Sequence, residues 1–446
     1  MTSTAARTVF ASVVLFTLFA GEAIRNSIGW WGFAGWAVFV AAVSVVVLIR
    51  SRGSALPRPA ALRTVFRSPI TWLTVFLVWC MASIAWSYYP LGTALGLLIL
   101  TVTTIAALAV ARLARNDRAL PLRALTFALG AILAASIVFE LVVAVVVRAP
   151  ILPVFPIDVV PGREIPDAFY WSRALLLEGG RIQGIVGNAN LLGFIALLGA
   201  VVGVATVRTH VVPRWVAVAT AVLGALVLVL TRSSTVLVAA AAVAVVAALV
   251  VCFRAGRSAS LRRRVGWALV AVLVVGAAVG ALFARPLLAA IGKSPDLTGR
   301  LDIWAAVLGL FGDRPVAGWG WIGYWQPWIP LFDDLAERRG VVYLQAHDAY
   351  LDVAFQVGTI GLLFFLALLV TTAARALRAT RQTLVPVLLL TALVVQALAE
   401  SRLLYEGNWA LLVLLAVGAF ATLPREDGAD TTAPRPVSPK ERGTRR

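Results

Sequence analysis

The chain has 446 residues, of which 61% are hydrophobic and 13% are charged, and its mean hydropathy is +0.92. Soluble domains contain about 45–50% apolar and about 25% charged residues, so this composition excludes a soluble enzyme and a disordered protein. The apolar residues form runs of about 18 to 24, long enough to cross a hydrocarbon layer about 30 Å thick. We therefore predict an all-α, polytopic membrane protein.

Twelve apolar segments can each form a transmembrane helix. In chain order they are roughly residues 8–26, 30–49, 69–87, 91–111, 124–147, 188–207, 213–231, 234–252, 266–284, 348–371, 383–399 and 404–422. No small-residue cleavage site follows the first segment, so we expect it to be retained as a helix. The two cysteines, Cys80 and Cys252, fall inside apolar segments, which excludes a disulfide framework.

Basic residues divide unequally between the two sides that twelve spans define. The side with both termini holds 26 of the 39 basic residues but only five of the 21 acidic ones. Because arginine and lysine gather in cytoplasmic loops, we place both termini in the cytoplasm. Most of the formal charge of +18 then reflects orientation, and we expect the lipid bilayer, rather than a nucleic acid, as the partner of the basic surface.

The predicted outer face carries two long loops, about 148–187 and about 285–347. Residues 426–446 are rich in proline, threonine and charge, and we expect a disordered cytoplasmic tail there. Residues 1–425 are then one polytopic transmembrane domain. Polar groups that can do chemistry lie mostly on the outer face.

The second outer loop contains a predicted amphipathic helix over residues 298–311, with apolar residues at spacings of three and four. Thr298 can cap this helix, which places Arg300 in its first turn. A positive charge there is unfavourable for the helix dipole, so helix stability does not explain the arginine. Free amides and a guanidinium together form a good phosphate receptor. An arginine that extends to the membrane interface is the alternative interpretation.

Aromatic residues and glycines follow this helix, in the run Gly318-Trp319-Gly320-Trp321 and at Trp325 and Trp328. We interpret most of these aromatics as an interfacial belt. The glycines indicate a close backbone turn that could admit a ligand.

His347 lies at the mouth of the tenth predicted span, in the sequence QAHDAY, and is a candidate acid or base. The first outer loop ends in GRIQGIVGNAN, where Arg181 precedes a glycine-rich turn and Asn190. Arg232 lies at the outer junction of the seventh and eighth spans. We interpret Glu400 and Arg402 as a structural ion pair.

Three of these motifs together resemble the O-antigen ligase / O-antigen polymerase superfamily of bacterial membrane glycosyltransferases. The resemblance covers about residues 180–412 and rests on three elements in order. They are Arg181 with Gly184 and Asn190; Thr298-Gly299-Arg300 with Trp304, Pro315, Gly318 and Gly320; and Ala346-His347-Asp348-Ala349-Tyr350-Leu351 with Gly358 and Gly361.

The resemblance implies metal-independent transfer of a glycan from a polyprenyl-diphosphate carrier to a hydroxyl on a glycan or glycolipid, at the outer face of the bacterial plasma membrane, without a cofactor. Carried over, Arg181 and Arg300 would bind the diphosphate and His347 would activate the hydroxyl. The predicted substrate-binding residues are Arg232, Asn190, Asp348 and Tyr350. Asp348 stands where the family often has asparagine; this carboxylate could increase the basicity of His347 or could cap the tenth span.

Two other functions compete with this interpretation. A metal-dependent glycosyltransferase usually has an acidic pair in its first outer loop, where this chain offers only Glu22. A transporter or flippase of a lipid-linked glycan would place charged or helix-breaking residues within the spans. The predicted spans carry few charges away from their outer ends, and Glu140 in the fifth span is the nearest exception. Both alternatives are therefore weaker than the transferase.

Overall fold

The computed structural model describes residues 3–51, 65–157, 164–255, 260, 300–332, 335, 337–338 and 341–420. This part of the chain folds into twelve α-helices with short 3₁₀ turns and one antiparallel pair of two-residue strands, Glu337–Arg338 and Val341–Val342. The helices are α1 (Thr4–Phe19), α2 (Gly21–Arg50), α3 (Pro69–Ala82), α4 (Pro90–Ala114), α5 (Leu120–Val142), α6 (Ala189–Thr209), α7 (Arg214–Thr231), α8 (Ser234–Ala255), α9 (Arg300–Asp313), α10 (Ala349–Ala379), α11 (Val385–Gln396) and α12 (Glu406–Ala416).

The predicted all-α membrane fold is confirmed. Among the described residues, seven helices are long and apolar enough to cross a membrane, and four shorter helices are also apolar. The prediction of twelve spans is not confirmed in number. The ninth, 266–284, lies outside the described residues, as do Thr298, the start of the second long loop and the tail 426–446.

The break predicted between the first two spans coincides with Gly29, but the first predicted span is itself divided by a further turn. The chain leaves the helical conformation at Ala20, so α1 ends at Phe19 and α2 begins at Gly21. Residues 21–26, which we had assigned to the first span, form the first turns of α2. Gly29 then breaks α2 with a positive φ of 73°. Hydropathy does not mark the turn at Ala20, because that turn directly follows an uninterrupted apolar run.

Helix α12 lies at the centre of the bundle, and all its residues from Gly407 to Ala416 are buried. The indole nitrogen of Trp409 donates to the hydroxyl of Thr104 on α4 at 2.8 Å. Helices α6 and α7 approach closely where Gly203 faces the backbone of Ala221, because a Cβ on Gly203 would lie 2.5 Å from the Ala221 nitrogen. Small residues at such crossings allow membrane helices to pack backbone against backbone.

Helix α10 is interrupted at Gly358, which has φ 69° and ψ −175°. The loop before it fills the gap: the amide of Gly320 donates to Gln356 O at 2.8 Å, and the amide of Thr359 donates to Pro315 O at 2.8 Å. A Cβ on Gly318 would lie 2.5 Å from the backbone of Gln356. The glycines of this loop therefore permit contact between two backbone segments, and the expectation that they admit a ligand is wrong.

The apolar face of α9 packs against the protein. Ile303 and Val307 are buried in a cluster with Trp325, Phe332 and Phe355. The ring of Trp325 stacks on Phe332 with centroids 5.2 Å apart. The predicted helix is present, and Ile303 and Val307 on its apolar side face other side chains, whereas Leu308 is exposed.

The interfacial-belt interpretation also fails for the central aromatics. Trp321 and Trp325 are fully buried, whereas Trp328 is 66% exposed. Trp321 contacts Phe76 edge to face at 5.7 Å. Aromatic rings in the core and at an interface have the same spacing along the chain, so the sequence alone does not distinguish them.

We predict that Gly358→Ala destabilises the protein strongly. The added Cβ would lie 2.1 Å from the carbonyl oxygen of Val316, and alanine does not readily adopt a positive φ. The thermal unfolding midpoint in detergent should fall by about 5 °C or more. Gly309→Ala in α9 is the control, because nothing lies within 4 Å of its added Cβ. Equal unfolding midpoints for the two variants would contradict the packing described for the α10 break.

Candidate functional site

The carboxylate of Glu400 is the centre of a buried polar network at the end of the bundle that the charge pattern places outside. Glu400 lies before the turn Ser401–Leu404, which connects α11 to α12, and is 5% exposed. Its Oε1 accepts from Asn190 Nδ2 at 3.0 Å and from Arg300 Nη2 at 3.3 Å. Its Oε2 lies 3.1 Å from His347 Nδ1.

Four predicted site residues are therefore brought together by one side chain. Asn190 and Arg300 contact one oxygen of Glu400, and His347 contacts the other. Arg181 joins through Asn190, because its Nη2 donates to Asn190 Oδ1 at 2.8 Å. Arg181 lies in the loop before α6, Asn190 in the first turn of α6, Arg300 at the start of α9 and His347 in the loop before α10.

The positive charges around Glu400 control its protonation. Burial by itself raises the pKa of Glu400, but His347, Arg300 and Arg402 together lower this pKa to about 2. The carboxylate therefore stays ionised at every physiological pH. Burial, with Arg173 nearby, lowers the pKa of the Arg181 guanidinium, while Glu400 opposes that change.

Arg181 is held by a backbone acceptor and a side-chain acceptor along one edge of its guanidinium. Its Nε donates to the carbonyl of Thr231 at the end of α7 at 3.0 Å. Its Nη2 contacts Asn190, whose Oδ1 also accepts from Ser233 at 2.9 Å. Asn188 caps α6 by accepting from the amides of Asn190 and Leu191, which fixes where Asn190 points.

Glu140 on α5 holds the glycine-rich turn that follows Arg181. Its Oε1 accepts from the amides of Gln183 at 2.9 Å and Gly184 at 2.7 Å, and its Oε2 accepts from Ser172 at 2.9 Å. Gly184 has a φ of 57°, and a Cβ there would lie 2.6 Å from Ser136. The charge within the fifth predicted span thus has a local structural function, which is to satisfy the backbone of this turn.

Arg300 is the first residue of α9, and Trp304 one turn later fixes the helix to the histidine segment. The indole nitrogen of Trp304 donates to the carbonyl of Ala346 at 3.0 Å. The amide of Ala346 in turn donates to the buried carboxylate of Asp352 at 3.0 Å. The first bond connects α9 to the loop before α10 and the second connects that loop to α10, next to Arg300 and His347.

His347 has a φ of 54°, so the chain turns sharply before α10 begins. Asp348 caps that helix by accepting from the amides of Tyr350 at 2.8 Å and Leu351 at 3.0 Å. Burial raises the pKa of Asp348, although these two bonds and Arg300 oppose the increase. Of the two functions left open for Asp348, the structure shows the cap; the carboxylate that contacts His347 is Glu400.

Two of the residues predicted to bind substrate lie apart from this network. The hydroxyl of Tyr350 donates to the carbonyl of Val394 on α11 at 3.1 Å, and its ring packs against Phe365. Arg232 is exposed and has φ 47°, and its guanidinium lies beside Gly179. Their involvement in binding remains a prediction.

The predicted pair of Glu400 with Arg402 is wrong in its partner. Arg402 contacts the carboxylates of Glu22 and Glu406, the latter at 3.2 Å, and its guanidinium lies 5.9 Å from the ring centroid of Tyr405. Glu400 instead pairs with Arg300 and His347. Because Glu400 and Arg402 are two residues apart at an irregular turn, their side chains point to different neighbours.

Sequence reasoning missed three contributors to the network. Glu400 was recognised as a costly buried charge but not as the partner of His347, which is 53 residues earlier. Ser233 and Gln345 stand within motifs that we had noted, and both contact the network: Gln345 Nε2 donates to Glu400 Oε2 at 3.4 Å. The sequence did offer one signal for this contact: an acid near the end of a predicted span needs a positive partner, and the second outer loop carries arginine and histidine.

A family model described as O-Antigen ligase matches residues 219–366. The match covers about a third of the chain, including Arg232, Arg300 and His347, and it confirms the resemblance to the O-antigen ligase superfamily. It supports a role of the cell-surface polysaccharide ligase or polymerase kind, for a multi-pass membrane protein of glycosyltransferase type. A search of curated proteins finds no match.

We predict that Glu140→Ala loosens the turn that carries Arg181. Hydrogen bonds from backbone amides to a carboxylate contribute about 1.5–3 kcal/mol each, so amide hydrogen exchange across residues 182–187 should accelerate about tenfold or more. Glu178→Ala is the matched control, because Glu178 is an exposed carboxylate of the same loop. Unchanged exchange in the Glu140 variant, measured by mass spectrometry, would show that other contacts hold the turn.

Proposed function

We propose that this relative of the O-antigen ligases transfers a glycan from a polyprenyl-diphosphate carrier to a hydroxyl of a glycan or glycolipid acceptor. The observation that supports this most is the meeting of Arg181, Arg300 and His347 around one buried carboxylate. Two cations suit a diphosphate, and a histidine beside them suits an alcohol nucleophile. The predicted orientation places this site at the outer face of the plasma membrane.

The donor diphosphate would bind the two guanidiniums. Among the described residues, Arg181 makes its contacts through Nε and Nη2 and Arg300 through Nη2, so the remaining N–H groups of each would be the donors to phosphate oxygens. Polyprenyl diphosphate is already a good leaving group and needs charge stabilisation rather than protonation. Two arginines supply that charge, and their planar donor geometry matches phosphate oxygens.

The acceptor hydroxyl would be deprotonated by His347. Because the ionised carboxylate of Glu400 can only accept, the hydrogen bond comes from Nδ1–H, and in the neutral ring Nε2 would then carry the lone pair of a base. As the hydroxyl oxygen forms its bond to the anomeric carbon, the bond from that carbon to the diphosphate breaks and the hydroxyl proton passes to Nε2. Direct attack of this kind inverts the anomeric carbon.

The broken helices do not favour the transporter alternative. Transporters use the free backbone ends of broken helices to bind a substrate or an ion. In α10 the groups freed at Gly358 are taken by the loop 315–320, through bonds such as Trp319 N to Phe355 O at 3.1 Å. In α2 the carbonyl of Asn26, before the break at Gly29, accepts from the amide of Val154. Both breaks thus anchor outer loops.

We expect Arg181→Ala, Arg300→Ala and His347→Ala each to reduce transfer by at least about 100-fold, because each removes a charge or a base from the reacting centre. The assay follows transfer from a purified polyprenyl-diphosphate oligosaccharide, with the products separated by mass. Arg148→Ala is the control, since Arg148 is an exposed arginine elsewhere on the same face. Near-normal transfer by the Arg181→Ala/Arg300→Ala double variant, at equal expression, would remove the donor site.

We also expect transfer to proceed at an unchanged rate in excess EDTA, because the arginines provide the positive charge that a divalent cation would otherwise supply. The measurement compares initial rates before and after dialysis against the chelator, and after Mg²⁺ or Mn²⁺ is added back. Loss of transfer with EDTA and recovery with one of these cations would argue for the metal-dependent class.

Product analysis distinguishes ligase from polymerase. A ligase adds one donor block to a distinct acceptor lipid or polymer, and a polymerase gives a ladder of products spaced by one repeat. The same reconstituted protein tests the flippase alternative: movement of labelled carrier lipid between leaflets, without a new glycosidic bond, would contradict the transferase.

A further inference from the structure

The two oxygens of the Glu400 carboxylate contact opposite halves of the site. Oε1 contacts the groups assigned to the donor, with Asn190 Nδ2 at 3.0 Å and Arg300 Nη2 at 3.3 Å. Oε2 contacts the groups on the acceptor side, with His347 Nδ1 at 3.1 Å and Gln345 Nε2 at 3.4 Å. One negative charge is thus shared between the cation that would bind the diphosphate and the base that would take the acceptor proton.

The contact with Arg300 is the one that a ligand can replace. Its length of 3.3 Å is long for an ion pair, and in the described part of the chain it is made through Nη2, one nitrogen of a group with five N–H donors. The Arg300 side chain is 15% exposed, whereas that of Glu400 is 6% exposed. The guanidinium can therefore turn toward an incoming anion, while the carboxylate stays in place among its other partners.

We propose that Glu400 is a positioning residue that couples donor binding to the readiness of His347. This inference rests on the proposed function and adds a regulatory step to it. In the free enzyme Glu400 is paired with Arg300, in the place that the donor phosphate would take. A bound diphosphate carries more negative charge than one carboxylate and takes Arg300 for itself. Glu400 then has one cation fewer, and its charge stabilises the imidazolium that forms on His347.

Two consequences follow from this exchange. The first is that Glu400 competes with the donor, so its charge weakens donor binding. The second is that the same charge assists proton transfer to His347 once the donor is bound, so the donor is expected to bind before the acceptor is activated. If Glu400 only filled space, replacing its charge would not strengthen donor binding and slow proton transfer at the same time.

The test measures donor affinity and turnover for Glu400→Gln. Glutamine keeps the size and one acceptor but removes the charge. The affinity for undecaprenyl diphosphate, titrated into the detergent-solubilised protein and followed by native mass spectrometry, should rise about fivefold or more. The maximal rate of glycan transfer should fall by about 100-fold or more, because His347 loses the charge that stabilises its protonated form.

Arg300 provides the matched control. In the Arg300→Ala background Glu400→Gln should no longer increase affinity, because the competition needs both partners. Glu400→Asp, which keeps the charge, should recover part of the turnover and should not bind the carrier more tightly than the wild type does.

The outcomes separate the two proposals. Equal or weaker carrier binding by Glu400→Gln, or tighter binding that persists without Arg300, overturns the coupling and leaves the donor site intact. If Arg181→Ala and Arg300→Ala bind undecaprenyl diphosphate as well as the wild type does, the donor site itself is wrong, and the coupling fails with it. Unchanged turnover of Glu400→Gln overturns the assistance to His347.

Discussion

A carboxylate removed from water at the end of a membrane helix bundle needs positive charge or hydrogen bonds around it, and Glu400 obtains both from segments far apart in the chain. Asn190 reaches it from the first turn of α6, Arg300 from the start of α9 and His347 from the loop before α10, and Arg181 is joined to it through Asn190. Compensating this buried charge brings the reactive groups together. The groups that stabilise Glu400 in the folded protein are the same groups that the proposed chemistry uses.

Hydrogen bonds to the surrounding backbone hold the segments of the site in place. Glu140 fixes the turn after Arg181, and Trp304 ties α9 to the segment of His347. The loop 315–320 closes the break in α10 through direct backbone bonds that only glycine at 318 and 358 allows. A site held by backbone contacts keeps its charges oriented before substrate arrives, which is the main way that an enzyme lowers the barrier for a reaction in which charge develops.

Local sequence patterns predicted the elements of the site better than their arrangement. Arg181, Arg300 and His347 stood out because each is a polar residue beside a helix end, where apolar packing offers no reason for it. The partner of His347 could not be found in this way, because the contact with Glu400 depends on how α10 and α11 pack. Glycines in a sequence indicate a close turn but not what packs against it, so the turn near Gly318 could be predicted and its contact with the backbone of α10 could not. Hydropathy likewise does not reveal the turn at Ala20 that separates α1 from α2.

A cryo-electron microscopy structure of the protein in nanodiscs, with undecaprenyl diphosphate bound, tests the proposed donor site most directly. We predict that the diphosphate lies between Arg181 and Arg300, with phosphate oxygens about 3 Å from guanidinium nitrogens. Arg300 should have moved away from Glu400. His347 should remain bonded to Glu400 beside the phosphates. A diphosphate located at the arginines of the opposite end of the bundle, with Arg300 still paired to Glu400, would contradict this prediction.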